Sequence, residues 1–283
     1  MRQPYARNFY SGDIASQIQA FIADYEPPED LGNVIAGIVP HAGWVFSGKT
    51  AAYVFAALKK SFIPDTIILF GTVHNMWLVN TCSLYTSGAW NTPVGAIKID
   101  EITAQEIVDA GKGIVVDNPS AHDGEHSIEV QTPFIKYFFP EVEIVPIAVI
   151  PDEGAVNVGE IVASVAKQSQ KKIVAIGTTD LTHYGYNYGF IPKGTGEKAL
   201  KWMNKNDQSI IDLAVNLKAE KIIPEAQEHR NACGSGAFAA AVAFARSLGA
   251  QKGRILNYTT SFDVMPDYEF SMGVGYVGMV FEN

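Results

Sequence analysis

"NVIAGIVPHAGWVFSGKTAAYVFAALKK", residues 33–60, decides the fold. Its first eight residues are apolar without alternation, the pattern of a strand buried on both faces rather than half-solvated. A corner with Pro40, His41 and Gly43 follows, and from Gly48 the apolar residues take helical spacing. Strand, corner and helix together make the first half of a parallel βαβ unit.

Similar apolar runs recur at 65–72 (DTIILFGT), 143–150 (EIVPIAVI), 171–179 (KKIVAIGTT) and 272–281 (MGVGYVGMVF). Helical patterns lie between them: TAQEIVDAG (103–111) with a Thr103 to Glu106 capping box, SIEVQTPFIKYFF (127–139), AVNVGEIVASVAKQ (155–168) and GSGAFAAAVAFARSLG (234–249). Alternation of strand and helix predicts an α/β class protein with a central, mostly parallel sheet flanked by helices. The stretch SLYTSGAWNTPVGAIKID (83–100) alternates around a Gly, Asn and Pro turn region and predicts an antiparallel hairpin added to that sheet, which makes the sheet mixed. No repeat or linker divides the chain, so one domain over residues 1–283 is expected.

At 47% hydrophobic and 18% charged, the 283 residues have ample material for a core. A formal net charge of −9, without clustered Lys and Arg, excludes nucleic-acid binding and an anionic membrane surface as expectations. The start MRQPYARNFYSGD has no apolar core of a signal peptide, and no run approaches a membrane span, so a cytoplasmic location is expected. Two cysteines in unlike contexts, Cys82 within a strand pattern and Cys233 at the mouth of a helix, make a structural disulfide a weak expectation.

The histidines carry the chemistry. His41, His74 and His183 each fall just past the carboxyl end of a predicted strand, where open α/β sheets bind ligands. Gly43, Ser47 and Gly48 fit a close backbone approach and an anion at a helix start. "GWVFSGKT" lacks the four-residue gap of a phosphate loop, which rules out that kind of nucleotide site. Cys233 precedes the 234–249 helix, whose dipole favours a thiolate, either as a nucleophile or as a soft metal ligand. Asp180 and His183, three residues apart, suit a general base with its orienting carboxylate. The loop SAHDGEHSIEV carries His122, Asp123, Glu125 and His126, read either as a solvated helix approach or as a segment bringing His126 into the crevice; His229 receives no role. His126, Trp44 and Ser47 are the expected substrate-side residues.

Seven segments, RQPYARNFY, VPHAGWVFSG (39–48), GTVH (71–74), NTPVGAIKID (91–100), EHSIEVQTPF (125–134), DLTHYG (180–185) and ACGSGA (232–237), together resemble the Memo family, also called AmmeMemoRadiSam system protein B. The resemblance implies a fold similar to class III extradiol ring-cleaving dioxygenases. It also implies that His41, His74 and Cys233 are metal-binding residues, with Asp180 and His183 in the same pocket. Where those dioxygenases hold iron with two histidines and a carboxylate, the third position here is Cys233, which suits copper, zinc or iron. Trp44 stands where the family commonly has Tyr, and Arg7–Asn8 where Ala-Gly is usual. The family name further implies association with a radical SAM protein and an AMMECR1-like protein.

Three functions stay open at this point. The first is a metal-dependent oxidoreductase with one transition-metal ion, acting on a small organic substrate with His183 and Asp180 moving the proton. The second is a non-catalytic module that binds a peptide or partner in the same crevice. The third is a hydrolase with Cys233 as nucleophile.

Overall fold

Burial on both faces is what the apolar runs demand, and every residue of strands β1 (Val34–Val39), β2 (Thr66–Gly71) and β8 (Ile173–Thr178) is buried. The structure, a computed structural model, describes residues 1–74 and 79–283. The remaining strands are β3 (Cys82–Leu84), β4 (Ala89–Thr92), β5 (Gly95–Lys98), β6 (Val115–Asp117), β7 (Glu143–Ala148), β9 (His183–Tyr184), β10 (Lys252–Thr260) and β11 (Gly273–Glu282). The main sheet runs β10-β11-β1-β8-β2-β7-β3-β6, with β9 paired to β11. Its centre, β1-β8-β2-β7, is parallel. Strand β11 is antiparallel to both β1 and β10, and β3 is antiparallel to β7, so the sheet is mixed.

Helices α1 (Ile14–Ile22), α2 (Trp44–Ser61), α3 (Glu101–Gly111), α4 (Thr132–Phe138), α5 (Gly154–Gln168), α6 (Glu197–Val215), α7 (Ala219–His229), α8 (Ser235–Ser247) and the short α9 (Ser261–Val264) complete the chain. Two glycines set the spacing between sheet and helices. A Cβ on Gly37 of β1 would meet Val54 of α2 at 2.8 Å, and one on Gly177 of β8 would meet Ala241 of α8 at 2.7 Å. Helix α8 is buried without a break from Ser235 to Ala245, the mark of a helix enclosed on all sides, with the sheet on one side and α5 and α7 on others.

Several expectations are corrected. Strands β4 and β5 form a separate two-stranded sheet rather than extending the main one. Helix α3 begins at Glu101, capped by the Asp100 carboxylate accepting from the Thr103 N–H, because Asp100 precedes the proposed Thr103 cap and makes the earlier turn possible. Helix α4 is shorter than the 127–139 pattern: Glu129–Gln131 is a single 3-10 turn, and Glu129 is committed to other partners. In keeping with the weak case for a disulfide, Cys82 and Cys233 are both free thiols. Helices α6 and α7 and strand β10 occupy stretches too polar to register as apolar runs.

Helix α6 ties down the loop after β8. Asp207, fully buried, accepts the Thr182 N–H at 2.9 Å and the Tyr258 hydroxyl at 2.7 Å. Asn206 donates to the Thr182 Oγ1 at 2.9 Å. Burial pushes the Asp207 carboxyl up to about 7, outweighing the Thr182 and Tyr258 hydrogen bonds.

Gly177→Ala will force β8 and α8 apart and cost about 1–3 kcal/mol, seen as a lower urea midpoint at unchanged slope. Because the folded-state pKa of Asp207 is raised from 3.8 to about 7, the native state holds a proton that the unfolded chain has lost between those values. Its contribution to stability therefore falls as pH rises from about 4 to about 7, on the order of a few kcal/mol. Thermal melts should show a shallower decline across that window for Asp207→Asn than for the parent protein.

Candidate metal centre

Three adjacent parallel strands, β1, β8 and β2, end side by side, and the residues that follow them meet in one crevice, as the open-sheet rule requires. His41 follows β1 after Pro40, His74 follows β2, and Asp180 through His183 follow β8. Cys233 joins them from the mouth of α8. Gly234, the residue that starts this helix, lies so close to the Thr178 carbonyl that a Cβ there would clash with it.

The His41 Nε2 and Cys233 Sγ are 3.1 Å apart. One ligand atom each from His41, His74 and Cys233 lie within 4.8 Å of one another, as do sets from Asp180, His183 and Cys233 and from His74, Glu125 and His126. The structure thus brings together all five residues picked from sequence as ligands or proton carriers. Each is held by a named partner. His41 Nδ1 lies 3.2 Å from the Thr178 hydroxyl. The Asp180 Oδ1 accepts the His41 and Ala42 N–H groups at 2.8 and 3.2 Å. The Asp180 carbonyl accepts the Cys233 N–H, and the Asp180 N–H donates to the Cys233 sulfur at 3.4 Å. His183 Nδ1 donates to the Leu181 carbonyl at 3.0 Å. The orienting acceptor for His183 is therefore a backbone oxygen, while the Asp180 Oδ1 is taken up by the β1 corner.

Glu125 is the residue that spacing did not single out. It accepts the His74 N–H at 2.8 Å, contacts His74 Nδ1 at 3.0 and 3.1 Å, and accepts the His126 and Ser127 N–H groups at 2.8 Å each. Its place directly before His126 in a charged loop made it look like a solvated acid. His126 stacks between Phe9 and His74, at ring distances of 4.4 and 4.5 Å. Phe9 is brought there by an N-terminal strap clamped on the buried Glu129, which pairs with Arg2 at 2.6 Å and accepts the Ala6 N–H and the Tyr10 hydroxyl. Tyr188 covers His183 edge-on at 5.1 Å.

Trp44 and Ser47 do not line the crevice. Trp44 is buried, stacked on Phe134 at 4.0 Å, with its indole N–H on the Val130 carbonyl. The Ser47 hydroxyl donates to the Ala42 carbonyl at 3.0 Å and so braces the corner that carries His41. At the start of α2, where an anion was expected, protein groups intervene: the Trp44 N–H is taken by the Phe9 carbonyl, and Gly48 is small because Phe21 packs on it. His122 sits behind the site, its Nε2 donating to the Ser83 carbonyl at 3.2 Å, and His229 is half-exposed beside Glu225.

Electrostatics separate the clustered groups. Burial, reinforced by the neighbouring His74 and His126, drives His41 well below the ordinary imidazole range. Burial and His74 bring His126 down to about 4, and burial lowers His183. His74 alone is raised, because the Glu125 hydrogen bond and charge outweigh its burial. Glu125 is in turn held well below the carboxylate range against its own burial. Burial pushes Asp180 up to about 7. Burial and the Asp180 charge also push the Cys233 thiol up, contrary to the depression expected from the α8 dipole.

The profile of the Memo-like protein family matches residues 4–280. A MEMO1 family protein of Thermococcus onnurineus is 33% identical over 286 residues, covering 98% of this chain and 97% of that protein. One from Nitrosopumilus maritimus is 34% identical over 293 residues, covering 99% and 100%. Among solved structures, the uncharacterized protein JW3007 from Escherichia coli K12 shares the fold with a TM-score of 0.52 at 10% identity, over 87% of this chain and 99% of that one. With a family match over nearly its whole length and relatives a third identical from end to end, this chain belongs to the Memo family.

Proposed function

We propose that His41, His74 and Cys233 hold one transition-metal ion and that the protein is a metal-dependent oxidoreductase for a small organic, phenolic substrate. The observation that carries this reading is the 3.1 Å approach of the His41 Nε2 to the Cys233 sulfur with His74 in reach. Ligand bonds of about 2.0–2.3 Å around a tetrahedral ion leave neighbouring donor atoms about 3.3–3.7 Å apart, so the donor set fits with small adjustments. The remaining coordination positions would face the crevice, as in catalytic rather than structural metal sites. Two imidazoles and a thiolate suit copper, zinc or iron, and a redox-active ion among these would carry electrons from the bound substrate to an oxidant such as dioxygen.

The chain's own groups would handle the proton. His183, kept neutral at pH 7 by burial, donates from Nδ1 to Leu181 and so has its Nε2 lone pair free to take a phenolic proton. Asp180, whose carboxyl burial raises to about 7, sits beside it as a second group that could hold a proton. The raised Cys233 thiol argues against the hydrolase reading, since without a cation it carries no nucleophilic charge at neutral pH. A peptide-binding role remains the alternative outcome of the tests below, and association with a radical SAM protein and an AMMECR1-like protein belongs to the same proposal. No helix among the described residues is long and apolar enough to cross a membrane.

Protein purified without added metal should carry close to one equivalent of ion by elemental analysis, and His41→Ala or Cys233→Ser should reduce it to background. Unchanged content in both variants would remove the metal centre. With catechol as probe, two electrons and two protons leave the substrate and dioxygen accepts them, which an oxygen electrode follows. His183→Gln should slow consumption by about 10²–10⁴-fold with the metal content retained. Metal-loaded protein that consumes no oxygen with this probe counts against the oxidoreductase reading and for a binding role.

A further inference from the structure

We propose that Glu125 is the positioning residue that fixes His74 in the Nδ1–H tautomer, leaving Nε2 as the ring atom with a lone pair to share with His41 and Cys233. This rests on the metal-centre reading above and names the residue that would tune it.

The argument starts from what each imidazole meets. An ionised carboxylate only accepts hydrogen bonds, so a ring nitrogen 3.0 and 3.1 Å from both Glu125 oxygens must carry the hydrogen. The Thr178 hydroxyl beside His41 Nδ1 can donate or accept, and so does not determine a tautomer. His183 is fixed by the Leu181 carbonyl, which also only accepts. Among the three strand-end histidines, His74 is therefore the one whose proton placement depends on a charged side chain.

Glu125 also fixes where His74 stands. One oxygen accepts the His74 backbone N–H at 2.8 Å, and the other accepts those of His126 and Ser127 at 2.8 Å each. The His74 backbone, its ring and the following loop thus share one nearly enclosed carboxylate. No other acidic side chain hydrogen-bonds the His74 ring among the described residues. A glutamine in this place would turn an NH₂ group toward at least one of these N–H donors, so the isosteric change removes both charge and acceptor capacity. Carboxylates that hold the far nitrogen of a ligating histidine typically account for 10–100-fold in metal affinity.

The test uses the full chain in two forms. In metal-free protein, ¹⁵N shifts of the His74 ring should report Nδ1–H in the parent and a mixed or Nε2–H ring in Glu125→Gln. Cobalt(II) titration, read from the thiolate-to-cobalt absorption, should show affinity weakened about 10–100-fold in Glu125→Gln. In Glu125→Ala, added formate should recover part of the loss. A carboxylate that served the loop alone would lower the unfolding midpoint while the tautomer and the affinity of the folded fraction stayed as in the parent, and that result overturns the proposal. So does an Nε2–H ring in the parent protein, whatever the variants do. Absence of the cobalt band in the parent would instead overturn the metal centre, and the ¹⁵N measurement still decides the role of Glu125.

Discussion

Asp180 is the knot on which the site depends. Through one side-chain oxygen it holds the corner after β1, and through its backbone carbonyl and N–H it holds Cys233 at the mouth of α8. Because it lies two residues past the end of β8, the carboxyl ends of two neighbouring strands and the start of the buried helix are set relative to one another by a single residue. Backbone groups at such corners have no ladder partners, and leaving them unpaired in a buried place costs about 1–3 kcal/mol each. Asp180 satisfies them, and the approach of His41 to Cys233 follows as a geometric result.

Crowding of titratable groups is the second constraint. Four imidazoles, two carboxyls and a thiol share one crevice, and they do not all charge together. Glu125 stays ionised because three backbone N–H groups and the His74 imidazole face it, while Asp180, with two N–H donors, does not resist burial to the same degree. His74 is the one clustered imidazole shifted upward, and its nearness adds to the burial that lowers His41, His126 and His183. Environments that drive neighbouring groups apart in this way are how one fold assigns acid and base roles.

Much of this was legible in the residue pattern because burial dictates it. The β1, β2 and β8 runs had to be interior strands, and residues just beyond their carboxyl ends had to converge, so His41, His74 and His183 could be placed without coordinates. Cys233 was legible from the glycine-rich helix that follows it. What spacing could not convey was which polar side chain holds which histidine. Glu125 is distant in sequence from His74 and adjacent to His126, so its main partner appears only when β2 and the 122–127 loop are side by side. Trp44 and Ser47 were placed on the crevice because they flank the corner that carries His41, whereas their own side chains turn back into the fold. The displaced thiol pKa has the same origin: a helix dipole acts over one turn, whereas burial and a neighbouring carboxylate act on the sulfur directly.

His41 and Cys233 lie 192 residues apart in the chain. A growing polypeptide therefore has no such pair until most of it has been made, and the crevice closes only when the last large helix docks on a sheet begun far earlier. A ligand that needs both side chains could be fully held only once residue 233 has been made and helix α8 has docked, so its retention would report completion of the fold.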